Sequence, residues 1–299
     1  MTATILRQDT ETGGWEAVLG TPDPRLAGIV AGSYHGWTET AAAPVLRREV
    51  PKAAVPLILN FGPAFRVTSP ADRAPAGTAP ELHPYRSFLA GMTALPALTL
   101  AETYSHCLQA NLTPLGAYRV LGLGMHSLTD RVVELADILG PAADLLVEEL
   151  AGANGWPQRF RLLDAALLAR MDGHRPPTPE IAHALARLEQ SGGALSIGGL
   201  AAELDISRRR LIDRFHEQVG LPPKALARIL RFNRAVGRLT LPGARPDLAD
   251  IALACGYYDQ AHFNREFRAL AGVTPRTFLA EGGTIHELGE FGGVQELSD

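Results

Sequence analysis

The sequence predicts an α+β protein. A small antiparallel β-barrel with following helices comes first, then an all-α region of two helix-turn-helix units joined by a linker helix. Three observations predict it. Short apolar stretches punctuated by Pro and Gly fill the first 120 residues. Near Thr129 the apolar spacing changes to the helical period. Between 200 and 276 a segment recurs at an offset of 52 residues.

In chain order, the stretches at 29–35, 44–50, 55–61, 65–68, 87–92 and 99–109 read as strands of one antiparallel sheet or barrel. The Pro-, Ala- and Gly-rich segment 70–84 reads as an exposed loop. Val132, Leu135 and Leu139 fit a first helix. Leu145, Leu146 and Glu149 fit a second, after Pro141. Phe160, Leu163, Leu167 and Met171 fit a third, with Pro157 in its first turn. The run DGHRPPTP at 172–179 cannot continue a helix. It divides the chain into a domain at 1–172, a linker at 173–179, a helical domain at 180–280, and an acidic, Gly-rich tail at 281–299 expected to be loose.

The formal charge is −4, which by itself argues against nucleic acid. It is unevenly spread: residues 1–177 carry −3, residues 178–280 carry +4, and residues 281–299 carry −5. A mildly basic module therefore sits in an acidic chain. The two cysteines, Cys107 and Cys255, exclude a disulfide framework and a four-thiolate zinc site, and suit a reducing cytosol. No apolar run reaches the ~18 residues that would span a bilayer, and the first nine residues lack a signal-peptide pattern. A cytoplasmic protein with no membrane partner is expected.

The repeat carries the sharpest signal. One copy, LAAELDISRRRLIDRFHEQVGLPPK, occupies 200–224; the other, IALACGYYDQAHFNREFRALAGVTPR, occupies 251–276. Leu211 falls on Phe263, Phe215 on Phe267, Gly220 on Gly272, and Pro223 on Pro275. Each copy has a short helix, a tight turn at Asp205 or Gly256, and a capping Ser207 or Asp259. An amphipathic helix ended by glycine follows. Two helices across a short turn are the helix-turn-helix signature. At 100° per residue, Leu211, Phe215 and Gln218 share one stripe, opposite Arg209, Asp213 and His216, with Ile212 alongside. In the second copy Phe263, Phe267 and Leu270 oppose Ala261, Arg265 and Arg268, flanked by His262 and Asn264. Arg208 and Gln260 stand at the helix starts, where side chains and free N–H groups reach bases or phosphates. The polar face of such a second helix is what enters a major groove. Between the copies, 225–241 reads as a long helix on Leu226, Ile229, Leu230 and Ala235. Arg228, Arg231, Arg234 and Arg238 recur on it, as phosphate contacts or as a solvated face.

On these residues, 179–279 resembles the DNA-binding domain of the AraC/XylS family of bacterial transcription regulators. The matching positions in the second unit are Ile251, Ala252, Gly256, Tyr257, His262, Phe263, Arg265, Phe267, Gly272, Thr274 and Pro275. The resemblance implies base-facing places at Arg209, Ile212 and Asp213, and at Gln260, Ala261, Asn264 and Arg265. The expected DNA-facing set adds Ser207, Arg208, His216, His262 and Arg268. Two departures stand out. Gly198 and Gly199 weaken the first helix of unit one, each by up to ~1 kcal/mol relative to Ala. Ile212 and Asp213 put an apolar and an acidic group where bases are read, so unit one reads less by hydrogen bonds, or reads a thymine methyl and a cytosine amine. More weakly, the N-terminal part resembles the cupin-like effector-binding or dimerisation domain of such regulators, with REVPKAAVPLILNFGP at 48–63 similar to a strand pair found there.

The resemblance implies a sequence-specific DNA-binding transcription regulator, not an enzyme. The expected partners are double-stranded DNA at an operator or promoter, a small-molecule effector, a second copy of the chain, and RNA polymerase. The helices of 129–171 offer the dimer surface. Two alternatives stand beside it: a ligand-independent dimeric regulator, and a small-molecule enzyme with a DNA-targeting module. No cofactor and no metal are expected. There is no His-x-His, His35 has only Glu39 nearby in sequence, and His83, His106 and His126 are isolated. His106 and Cys107 would point to opposite faces of a strand. Cys255 reads as a small buried apolar residue. Trp15, Tyr34, Trp37, Tyr85 and Tyr104 are candidates for an apolar pocket, or ordinary core.

Overall fold

The computed structural model describes residues 3–10, 13–72, 81–241 and 247–281. The expected loose tail therefore lies outside the described residues, apart from Glu281. Among the described residues, eleven strands precede the helical half: β1 (Ala3–Thr10), β2 (Gly13–Gly20), β3 (Tyr34–Ala41), β4 (Val45–Glu49), β5 (Val55–Asn60), β6 (Phe65–Val67), β7 (His83–Tyr85), β8 (Phe88–Ala90), β9 (Ala97–Ala101), β10 (Tyr104–Leu112) and β11 (Val132–Glu134). They form two antiparallel sheets. The larger runs β1-β2-β3-β10-β5-β8-β11 and the smaller β4-β9-β6-β7.

The alternation of β10 explains how the sheets pack. Cys107, Gln109 and Asn111 face the space between the sheets, while Leu108, Ala110 and Leu112 face the helical layer. That layer is α1 (Pro114–Leu121), α2 (Leu135–Leu139), α3 (Pro141–Ala151) and α4 (Trp156–Gly173). Phe160 and Leu163 of α4 are fully buried against the sheet. The approach is close: a Cβ on Gly36 would lie 2.3 Å from the Trp156 ring. Asp164 of α4, itself buried, accepts from the Tyr34 hydroxyl (2.8 Å) and the Asp23 amide (3.0 Å). Burial raises its pKa.

Several expectations for this half are corrected. The stretch 29–35 is mostly turn, Val30 making only isolated bridges before β3 begins. The stretch 99–109 is two strands in different sheets. The segment 70–84 ends in β7 rather than loop; residues 73–80 lie outside the described ones. β4 and β5, expected as a pair, belong to different sheets. The β1–β2 hairpin leaves no apolar run in the sequence, since Leu6 is the lone buried side chain described on β1. Val132 belongs to a strand paired with Ala90, too short to show a period. α1 was hidden by its eight-residue length, although Thr113 caps it by accepting from the Gly116 amide (2.9 Å).

The C-terminal half is helical, as expected: α5 (Pro179–Gln190), α6 (Ile197–Glu203), α7 (Arg208–Val219), α8 (Pro223–Leu239), α9 (Leu248–Ala254), α10 (Gln260–Ala271) and α11 (Pro275–Ala280). Its core rests on Phe215, Phe232, Phe263 and Phe267, all at 0% exposure. Fully burying each is worth about 1.5–3 kcal/mol. One continuous apolar cluster runs from the sheet through α4 into these helices.

Candidate nucleic-acid interface

Unit one is α6 and α7; unit two is α9 and α10. The turn between the helices needs a left-handed residue, and Asp205 (φ 51°) and Gly256 (φ 79°) supply it. The caps form as expected. Ser207 Oγ accepts from the Arg210 amide at 3.2 Å, and Asp259 Oδ1 from the His262 amide at 2.6 Å. Gly220 and Gly272 end α7 and α10 in the left-handed conformation. Ser196 caps α6 through the Gly199 amide (3.0 Å), which offsets part of the cost of its two glycines.

The inner stripes are buried: Leu211, Phe215 and Gln218 in α7, and Phe263, Phe267 and Leu270 in α10. Gln218 is used rather than merely enclosed. Its Oε1 accepts from the Thr178 amide at 2.9 Å, tying α7 to the start of α5. On the outer side Ser207, Arg208, Arg209 and Asp213 are exposed in unit one, as are Ala261, Arg265 and Arg268 in unit two. Ile212 and Gln260 are half-buried beside these ridges. Arg209 and Asp213 pair across one helical turn at 3.8 Å. Both stay largely in water, so the pair holds neither side chain firmly.

Three members of the expected set have other contacts. His262 accepts from the Tyr258 amide through Nδ1 (3.3 Å) and packs edge-on against Tyr257. Asn264 is half-buried, and its Oδ1 is enclosed without a hydrogen-bond partner. His216 faces the N-terminal half, its ring centroid 5.9 Å from that of His126. Burial, then the neighbouring His126, lowers its pKa.

The α8 arginines divide by role. Arg234 and Arg238 are exposed. Arg228 donates to both carboxylate oxygens of Glu266 on α10, at 2.7 and 3.1 Å. Arg231 donates to the Gly193 carbonyl (2.8 Å) and lies 6.0 Å from the centre of the Tyr257 ring. Sequence reasoning missed that these two bind the units to one another; the period on the helix was visible but its partners were not.

In the N-terminal half a cavity of about 240 Å3 opens between the two sheets. Trp15, Trp37, Phe65 and Phe88 line it, together with Gln109 and Asn111. Of the aromatics expected at such a pocket, Tyr34 lies instead in the core against Phe160, and Tyr104 is exposed. Tyr85 packs beside Phe88. Cys107 is fully buried facing this inter-sheet space, and burial pushes its thiol pKa well up. His106 points the other way, between Phe61 and Trp156. Among the described residues no cluster of three His, Cys, Asp or Glu side chains could hold a metal ion.

Two capped helix-turn-helix units on a shared rigid helix define the C-terminal half as a double helix-turn-helix module. Residues 200–281 match the family described as "Helix-turn-helix domain". The chain is 32% identical over 88 residues to the HTH-type transcriptional regulator MtrA of Neisseria gonorrhoeae. That alignment covers 29% of each protein, so the chain spans under a third of this curated relative's length. Among solved structures, it is similar to an AraC-type transcriptional regulator from Chromobacterium violaceum. The identity there is 30%, over 34% of this chain and 91% of that one, with a TM-score of 0.31. It is also similar to ToxT from Vibrio cholerae, at 10% identity over 80% of this chain and 98% of that one, with a TM-score of 0.45.

Proposed function

We propose that the protein is a sequence-specific DNA-binding transcription regulator. The observation that carries this reading is the pair of exposed ridges, Arg209–Asp213 on α7 and Ala261–Arg265–Arg268 on α10, each on the second helix of a capped unit. Two units held on α8 can address successive major-groove segments, about 34 Å apart. Arg265 bonds a guanine; the helix starts and neighbouring arginines hold phosphate. Residues 1–172 form the sensing or dimerising domain, 180–280 the DNA-binding domain, and 173–179 the connection between them. Leu145 on α3, 66% exposed, supports the outer helices as the face for a second copy. Selection of bound fragments from random duplexes, repeated with Arg265→Ala, tests the reading. A single enriched motif with two half-elements one helical turn apart is expected. No enrichment over bulk DNA overturns it.

A further inference from the structure

The wall between the cavity and the DNA-binding half is thin: on β4 alternation sends neighbouring side chains to opposite sides, and beyond it single residues separate the two. Arg47 and Glu49 line the cavity, while Arg48 between them bonds Glu281 (3.4 Å) and lies against Gly272, where α10 ends. Pro51 lines the cavity, and its carbonyl accepts from Asn233 Nδ2 of α8 at 2.7 Å. Gly91, Thr93 and Leu95 face inward. Met92 and Pro96, in alternation with them, lie against Gly220 and Gly272 respectively. Behind Thr93, its hydroxyl donates to Asp130 (2.6 Å), and adjacent Thr129 donates to the Gly220 carbonyl. Both reading helices therefore end on the outer face of the cavity wall.

The lining also indicates what fits. Four aromatic rings supply stacking surface. Arg47 is already committed to Glu39, through one guanidinium nitrogen held by both carboxylate oxygens. Glu49, Lys52 and Arg131 stand where water reaches them. Gln109 donates to Asn111 Oδ1 (2.8 Å), which leaves Gln109 Oε1 as an acceptor and Asn111 Nδ2 as a donor toward an occupant.

We propose that the cavity binds a neutral, mainly aromatic small molecule with one hydrogen-bonding edge, and that its occupancy is transmitted through the thin wall to the ends of α7 and α10. The inference deepens the regulator reading and rests on it for its biological meaning. Physically it requires that the occupant contact the wall differently in two arrangements of the interface. Close-packed walls relay such shifts rather than absorb them.

The full chain is titrated with 1-N-phenylnaphthylamine, a neutral aromatic fluorophore, and backbone amide exchange is followed with and without it. Saturable binding is expected, displaced by quinoline but not by dodecanoate, and at least ten-fold weaker in Thr99→Phe, whose new ring fills the cavity. Exchange should change several-fold at 216–222 and 268–276 when the probe is bound. Ala97→Leu, a smaller insertion, is the second variant, and circular dichroism confirms that either is folded. Absent binding, or binding that both folded variants retain, overturns the site. Displacement by dodecanoate alone overturns the ligand class. Binding with unchanged exchange at both helix ends overturns the coupling. DNA takes no part in these measurements, so their failure leaves the regulator reading standing, and failure of the duplex selection leaves the cavity and its coupling intact.

Discussion

Arg265 lies on the open side of α10, on the same exposed face as Arg268, and among the described residues nothing in the fold engages its guanidinium. Its replacement by Ala is expected to weaken binding to the cognate duplex by about 1–3 kcal/mol, if it holds a base bidentately. Competition assays against unrelated DNA check this, since an equal loss on both makes it a phosphate contact. His216 gives a pH dependence. Its pKa is lowered in the fold by burial and by His126, with Asp213 opposing. A base held neutral in the fold stabilises it fully above its ordinary pKa of about 6.5. That contribution is lost as pH falls through the lowered folded value. The contact between α7 and the N-terminal half should therefore loosen in mild acid, and His216→Gln should flatten the effect. Amide exchange at Gly220 against pH reads it; a slope unchanged in the variant would remove His216 from the account.

At the scale of the element, the reading helices are set by local chemistry and then fixed by packing. Removing the Asp259 cap by Ala should cost about 1 kcal/mol, seen as a lower midpoint in urea unfolding. Phe267 packs on Phe232, Phe263 and Phe278 and is fully buried. Phe267→Ala should cost about 3–5 kcal/mol. A loss under 1 kcal/mol would mean that unit two is not packed as described. Both caps, both turn residues and both inner stripes were legible in the sequence, because a cap or a helical face depends on residues three or four apart. The ties of α8 were not. Arg228 meets Glu266 across 38 positions, and Arg231 reaches back to Gly193 across another 38. Periodicity says that an arginine is on a face, not what stands opposite it.

For the whole molecule, phosphate neutralisation releases counterions, so affinity for DNA should fall steeply and linearly in log–log form with salt. A flat curve would speak against docking of the arginine-bearing face. The apolar cluster that continues from the β layer into the helical half makes the two mechanically joined. Substitutions at their contact, such as Thr129→Val, should change exchange at Gly220 more than they change the unfolding midpoint.

By itself the sequence determined the helical half: an offset repeat, its capping residues and its apolar stripes are short-range patterns that the chain must obey wherever it folds. It also determined that strands precede it. Tertiary structure alone decided which strands share a sheet, that 99–109 splits between two, and that a cavity remains between them. It also decided that the glycine ends of both reading helices rest on the cavity's outer wall. Those outcomes depend on contacts between residues up to 233 positions apart, such as Arg48 with Glu281. Such pairings follow from how finished surfaces fit together, and no local periodicity encodes them.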